Sequence, residues 1–427
     1  MRFLTLLLCL GLQASAFGAD LLAREAIIDR ARSGIQKLEA TYWSPTLGIW
    51  LDQPGDDLRG SYDGSRRPPW WPSANGVELL LDFMQAAGTD EYLDEIASLY
   101  ALQKDHRSRT DRVIAELKRR NQWTERDERS LQRRLRREEE AKKAREAAGQ
   151  PAPTGGHYSD FQNEYLDDSG WWGITWLKMY DRTGEEKYLA TAKTIHAHMA
   201  ANWRPDKGGG VIWCEDEDKQ RPNAITNNLF LILSARLARR TGEPSYLEWA
   251  EKTLEWIRSS KLYDGTAIVD GPGHVGDYWS YNQGTYIGGL LAMEEATGKH
   301  EYLDEAVVFT DGLLTASGLT AADGSVYEKL GTGGDAGLFK GIFLRYLAQL
   351  RDRLAVGDVH PEMAARLEHT IRASAAAALQ YGIGPNGMFT AEWREGVTDP
   401  HADFGTQVSG LLALTAALPP ARSKETH

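Results

Sequence analysis

Asp167 and Asp168 are consecutive carboxylates, followed at once by Ser169-Gly170-Trp171-Trp172 and an apolar run with helical spacing. A helix that starts there carries both acids in its first turn, where unpaired N–H groups and the helix dipole favour an anion. Two carboxylates so close resist being charged together, so one ionises while the other keeps its proton. An anion beside an acid is the pair that cleaves acetals between sugars, and the retaining form of that chemistry wants the two carboxyl groups about 5 to 5.5 Å apart. Neighbouring Cα atoms sit about 3.8 Å apart and their side chains splay by about 100° on a helix, so the separation is reachable. The plainer alternative is an Asp N-cap with a solvated neighbour.

The company these acids keep favours chemistry. The same helix start carries Trp171 and Trp172, and the other predicted ones carry Trp70, Trp71 and Asn75; Asn223 and Asn227; Trp279, Tyr281, Asn282 and Gln283; Lys340; and Gln407. Any one of them could simply cap its helix. Together they are the aromatics and amides of a sugar-binding cleft, with Trp70, Trp71, Trp171, Trp172 and Tyr281 as candidate stacking platforms.

The elements that must gather them follow from a repeat. Gly88-Thr89-Asp90-Glu91-Tyr92-Leu93 recurs as Thr183-Gly184 to Tyr188-Leu189, Thr241-Gly242 to Tyr246-Leu247 and Thr297-Gly298 to Tyr302-Leu303. The tyrosines step by 58 and 56 residues between the last three and by 96 between the first two, which leaves about 40 extra residues in the first interval. Each phrase separates an apolar helix from a more polar one. Apolar helices are predicted to start near Ser73, Asp168, Asn223, Asn282, Gly337 and Gly405, and polar ones near Leu22, Asp90, Glu185, Glu243, Lys299 and Pro361. The predicted fold class is therefore all-α, an (α/α)6 barrel of six helical hairpins. Because the Gly-containing turns are short, the long loops and the N-termini of the inner helices gather at the opposite end, and the site belongs there.

Composition narrows the partners. Residues 101–150 hold 16 Lys/Arg against 10 Asp/Glu, so the formal charge of −12 divides into a basic segment and a strongly acidic remainder. An acidic body disfavours nucleic acid and anionic lipid. The segment 104–153 is predicted to be an inserted charged helical hairpin: about Ser108 to Arg120, then Thr124 as N-cap with Asp127 three residues on, running to Ala148 before Gly149, Pro151 and Pro153. Its apolar residues Val113, Ile114, Leu117, Trp123, Leu131 and Leu135 would form a thin seam. At the N-terminus, Met1-Arg2, an apolar run to Leu12 and Ala14-Ser15-Ala16 read as a signal peptide over 1–18, too short to span a membrane. Export to periplasm or medium, a catalytic domain over 19–418, a disordered tail over 419–427 and a monomer complete the expectation. Loss of Cys9 with the leader leaves Cys214 alone, so no internal disulfide is available.

The motifs Tyr165-Leu166-Asp167-Asp168-Ser169-Gly170-Trp171-Trp172, Gly208-Gly209-Gly210-Val211-Ile212-Trp213, Asn223-Ala224-Ile225-Thr226-Asn227, Tyr281-Asn282-Gln283-Gly284 and Phe339-Lys340-Gly341-Ile342-Phe343 resemble family 76 of the glycoside hydrolases. The resemblance runs from about Trp43 to Leu414 without the insertion. It implies a retaining endo-α-1,6-mannanase with Asp167 as nucleophile and Asp168 as acid/base, acting on α-mannan without cofactor or metal. A mannan transglycosylase and a non-catalytic glycan-binding protein on the same barrel are the alternatives. His196 and His198 lie two apart on a helix and face different directions, and Glu215-Asp216-Glu217-Asp218 lacks the spacing of a calcium loop.

Overall fold

The computed structural model describes residues 22–55, 58–63, 68–147, 159–397 and 401–418. The expected leader, the break at Gly149, Pro151 and Pro153, and the tail lie outside them. The chain opens with α1 (Arg24–Tyr42), a two-stranded hairpin of β1 (Trp43–Ser44) and β2 (Ile49–Trp50), and a short α2 (Leu58–Asp63). Next come α3 (Trp70–Ala87), α4 (Leu93–Gln103), α5 (His106–Arg119) and α6 (Glu125–Ala147). Beyond the insertion lie α7 (Leu166–Thr183), α8 (Glu186–Ala201), α9 (Ala224–Thr241), α10 (Pro244–Ser259) and α11 (Ser280–Thr297). The chain closes with α12 (Glu301–Ala316), α13 (Ala336–Gly357), α14 (Pro361–Tyr381) and α15 (Phe404–Ala416).

The helices α3, α7, α9, α11, α13 and α15 pack in that order into a closed inner ring. Their sequences demand it: α9 buries every residue from Ala224 to Ala235, whereas α10 buries only a stripe through Ala250, Thr253, Leu254, Trp256 and Ile257. The outer helices α8, α10, α12 and α14 each pack on the inner helix before them, and α1 packs on α15, so the sixth pair joins the two ends of the described chain. This is the (α/α)6 barrel. Close approach within the ring needs glycine: a Cβ on Gly341 of α13 would stand 2.6 Å from the Ser409 Cα of α15. Among the described residues no helix is long and apolar enough to cross a membrane.

The repeat has a mechanical reason. Gly88, Gly184, Gly242 and Gly298 end their helices in the left-handed region at φ 69 to 72°. At the last three the preceding threonine accepts the N–H two residues on, from Glu185, Glu243 and Lys299, at 3.1 to 3.2 Å. One hydroxyl and one glycine thus stop the inner helix and launch the outer one within a few residues.

The insertion departs from a simple hairpin. Thr124 and Asp127 form the expected reciprocal cap: the Asp127 N–H donates to Thr124 Oγ1 at 3.3 Å and the Thr124 N–H donates to Asp127 Oδ2 at 2.8 Å. The expected seam is split, however. Val113 and Leu117 of α5 join the main core, whereas Leu135 of α6 is 39% exposed. α5 packs on α2, and α6 stands largely in solvent.

Candidate active site

Asp167 and Asp168 occupy the first turn of α7, behind an N-cap, Tyr165, that contributes no side-chain cap. The acids are therefore not capping residues. The turn is held from outside: the Leu166 N–H donates to the Trp213 carbonyl and the Glu215 N–H to the Glu164 carbonyl, both at 2.9 Å. On the other side Asn163 accepts the Tyr165 N–H on Oδ1 at 3.1 Å and donates Nδ2 to Asp168 Oδ2 at 2.7 Å. The Trp213 indole N–H donates to Asp167 Oδ2 at 3.1 Å, and Asp167 Oδ1 is buried without a hydrogen-bond partner among the described residues.

Enclosure by the surrounding protein pushes the Asp167 carboxyl up to about 7, against the downward pull of the Trp213 N–H. Asp168 is raised well above the usual carboxylate range, first by burial and then by the charge of Asp167, with the Asn163 amide opposing. The pair divides as the helix-start argument requires: the first acid ionises before the second.

These carboxyls face a cleft of about 710 Å³ at the end of the barrel where the inner helices begin. Trp70, Trp71, Trp171, Asn223 and Tyr281 also line it. The walls are aromatic and mutually braced. Tyr281 lies flat on Phe339, with ring centroids 3.8 Å apart and planes within 5°. Trp71 stands 6.1 Å from Trp171 and 6.2 Å from Phe339, and its indole donates to Asp335 Oδ1 at 3.2 Å. Burial raises the Asp335 carboxyl as well. Asp270 completes a set of four aspartates in the cleft, with Arg221 the cation among them.

Eight residues expected at the cleft are not part of its lining. Trp172 is fully buried, packed 5.4 Å from Trp176 and 4.9 Å from Phe161, so it is core. Asn75 is buried and accepts Arg345 Nη1 at 3.0 Å. Asn227 grips both the N–H and the carbonyl of Val211, at 2.8 and 3.0 Å, and Gln283 does the same to Ile268 at 2.8 and 2.7 Å. Gln407 follows suit by accepting the Phe389 N–H at 2.7 Å. These amides clamp the loops that precede their helices, which is why such residues recur one turn into the inner helices. Asn282 holds Asp270 Oδ1 at 3.1 Å, and Lys340, 1% exposed, donates to the Ala391 carbonyl at 2.5 Å and lies 3.9 Å from the Trp393 ring. Trp279, at the N-cap of α11, braces Phe339 edge-on at 5.5 Å.

Sequence reasoning missed Asn163, Trp213, Asp270, Asp335 and Phe339 as site residues. Trp213 and Phe339 stood inside the quoted motifs. Asp270 and Asp335 each adjoin a glycine ahead of an inner helix, a signal shared with many ordinary turns and helix starts.

The family profile described as Glycosyl hydrolase family 76 matches residues 150–426. The mannan endo-1,6-α-mannosidase DCW1 of Saccharomyces cerevisiae is 29% identical over 292 residues, 60% of this chain and 63% of the yeast protein. The chain thus spans less than two thirds of that relative. Among solved structures, the GH76A α-1,6-mannanase of Salegentibacter sp. HEL1_6 superposes with TM-score 0.67 at 21% identity, covering 92% of this chain and 98% of that one. An inactive form of the same enzyme, with two consecutive aspartates replaced by alanine and α-1,6-mannotetrose bound, gives 0.68 at 22% identity over 92% and 98%. With its profile match extending over more than half its length, this chain belongs to glycosyl hydrolase family 76.

Proposed function

We propose that the protein is a retaining glycoside hydrolase that cleaves α-1,6-mannosidic bonds within mannan chains, with Asp167 as nucleophile and Asp168 as acid/base. The observation that carries this reading is the unequal pair in the first turn of α7. Asp167 has one oxygen held by Trp213 and the other without a partner, while Asp168 is the more strongly proton-retaining.

In the first step Asp168 gives its proton to the glycosidic oxygen as the bond from that oxygen to the anomeric carbon breaks, and Asp167 forms an ester to the same carbon. In the second, Asp168, now a carboxylate, takes a proton from water, whose oxygen attacks the anomeric carbon and releases Asp167. The Trp213 indole stabilises the departing carboxylate at each turnover. The rigid Tyr281–Phe339 stack and the Trp71 and Trp171 rings offer faces to the apolar sides of mannose rings. The names of the yeast and Salegentibacter relatives, and the consecutive aspartates replaced in the inactive form of the latter, support the same substrate and pair. A polysaccharide substrate also agrees with the leader expected over 1–18.

Azide rescue tests the two roles separately. With an activated α-mannoside, Asp168→Ala plus azide is expected to give the α-mannosyl azide, because azide attacks the ester from the face that water uses. Asp167→Ala plus azide is expected to give the β-mannosyl azide, because azide replaces the nucleophile. Exchanged products would reverse the assignment.

A further inference from the structure

The basic residues of the insertion converge on one place. Arg126, Arg133 and Arg134 lie on one face of α6 and, with Arg59 of α2, line an open pocket of about 680 Å³ that also contains Thr124, Asp127 and Ser130. Its single carboxylate is already engaged. Asp127 accepts from Arg59 Nη1 and Nη2 at 3.0 to 3.1 Å and from the Thr124 N–H at 2.8 Å. Those donors hold it far below the usual carboxylate range. Elsewhere on α6, Arg129 and Lys143 pair with Glu125 and Glu139, whereas Arg126 and Arg133 meet no carboxylate among the described residues. Arg59 is spent on Asp127, and Arg126 and Arg133 bring the two guanidiniums that meet no carboxylate of the described residues.

The pocket's position gives it a purpose. α2, α5 and α6 all belong to connections that run from an outer helix to an inner one, so they stand at the same end of the barrel as the cleft. Arg59 precedes the cleft residue Trp70 by 11 positions. The cleft lining sets four aspartates against the single cation Arg221, so an anionic group on a bound polymer is better matched by the arginines. The match to the family profile begins at residue 150, beyond α6, so the pocket residues lie outside the matched part of the chain.

We propose that this arginine pocket is an anion subsite for phosphate groups carried by the polysaccharide whose backbone lies in the cleft, which makes phosphorylated α-mannan the preferred substrate class. The polymer named rests on the reading above; the anion preference rests on the pocket. Guanidinium forks match phosphate oxygens in pairs, and arginine stays charged at any working pH. Because the pocket is open, its attraction is salt-sensitive.

The test compares KM for linear α-1,6-mannan and for the same mannan lightly phosphorylated, using the full chain. The expected result is a KM roughly tenfold lower for the phosphorylated polymer at low salt, falling toward parity at about 1 M salt, where the screening length is about 3 Å. Arg126→Glu with Arg133→Glu should abolish the preference while leaving turnover of neutral mannan within about twofold. Lys142→Glu with Lys143→Glu makes the same charge change further along α6 and should keep it. Equal KM values in the wild type, survival of the preference in the arginine variant, or equal loss in the lysine variant would overturn the proposal. Calorimetric binding of the phosphorylated mannan to the same proteins reads the pocket without cleavage. Absence of cleavage on both polymers therefore sinks the hydrolase reading, whereas absence of an arginine-dependent difference in binding sinks this one. Arginine-dependent capture of phosphatidylglycerol vesicles, with no preference between the mannans, would assign the pocket to a membrane and also overturn it.

Discussion

Trp213 reaches from the loop between α8 and α9 to donate its indole N–H to Asp167 Oδ2 at 3.1 Å. That loop is itself pinned, since Asn227 holds Val211 on both its backbone groups and Gly210 is so close to Trp256 that a Cβ there would stand 2.8 Å from the ring. The donor that sets the nucleophile thus depends on a backbone clamp in the neighbouring hairpin.

Trp213→Phe keeps a ring in place and removes the donor. The N–H pulls the Asp167 carboxyl down, so its loss raises that carboxyl further and moves the acidic limb of kcat/KM upward from about 7. We expect kcat/KM near neutrality to fall by about 10- to 100-fold. An unchanged limb with a uniform loss of rate would show that Trp213 only packs.

The raised carboxyls also set the pH dependence of stability. Asp168 keeps its proton in the folded state at pH values where the unfolded chain, titrating near 3.9, has lost it. Stability from this group is therefore fully present below about 4 and is lost as pH rises through the folded value. Asp168→Asn removes the titration. Melting temperatures of variant and wild type should be close at about pH 4 and should separate in the variant's favour toward pH 8, by several degrees. Parallel curves would show that the Asp168 carboxyl is not strained by its surroundings.

Wall and support residues should respond differently. Trp71→Ala removes a ring from the cleft wall and should raise KM by about 3- to 10-fold with a smaller effect on kcat. Lys340→Met deletes a buried donor to the Ala391 carbonyl and should cost about 1–3 kcal/mol of stability while leaving KM within about twofold. A large KM effect from Lys340→Met, or none from Trp71→Ala, would redraw the cleft.

The barrel was legible because its signals are periodic and local. A Thr-Gly pair at a fixed step fixed the turns, and continuous burial against a stripe separated inner helices from outer ones. The acids were legible because two carboxylates open an apolar helix. The amides were harder: Asn227 and Gln283 stand beside true cleft residues in sequence, yet a helix turns by about 100° per residue, so neighbours point to different places. Trp171 lines the cleft while Trp172 sits in the core for the same reason. Asp270 belongs to an irregular loop whose path depends on contacts distant in sequence, which no local pattern encodes, and Asp335 is the N-cap of α13, a place where an aspartate reads as an ordinary helix start.

The most direct test of the central claim is time-resolved proton NMR of the reducing ends released from linear α-1,6-mannan during the first turnovers. A double displacement through Asp167 predicts that the α-anomer appears first and the β-anomer follows only by mutarotation. Initial release of the β-anomer would mean direct attack by water and would contradict the nucleophile assignment, and no release at all would contradict the substrate.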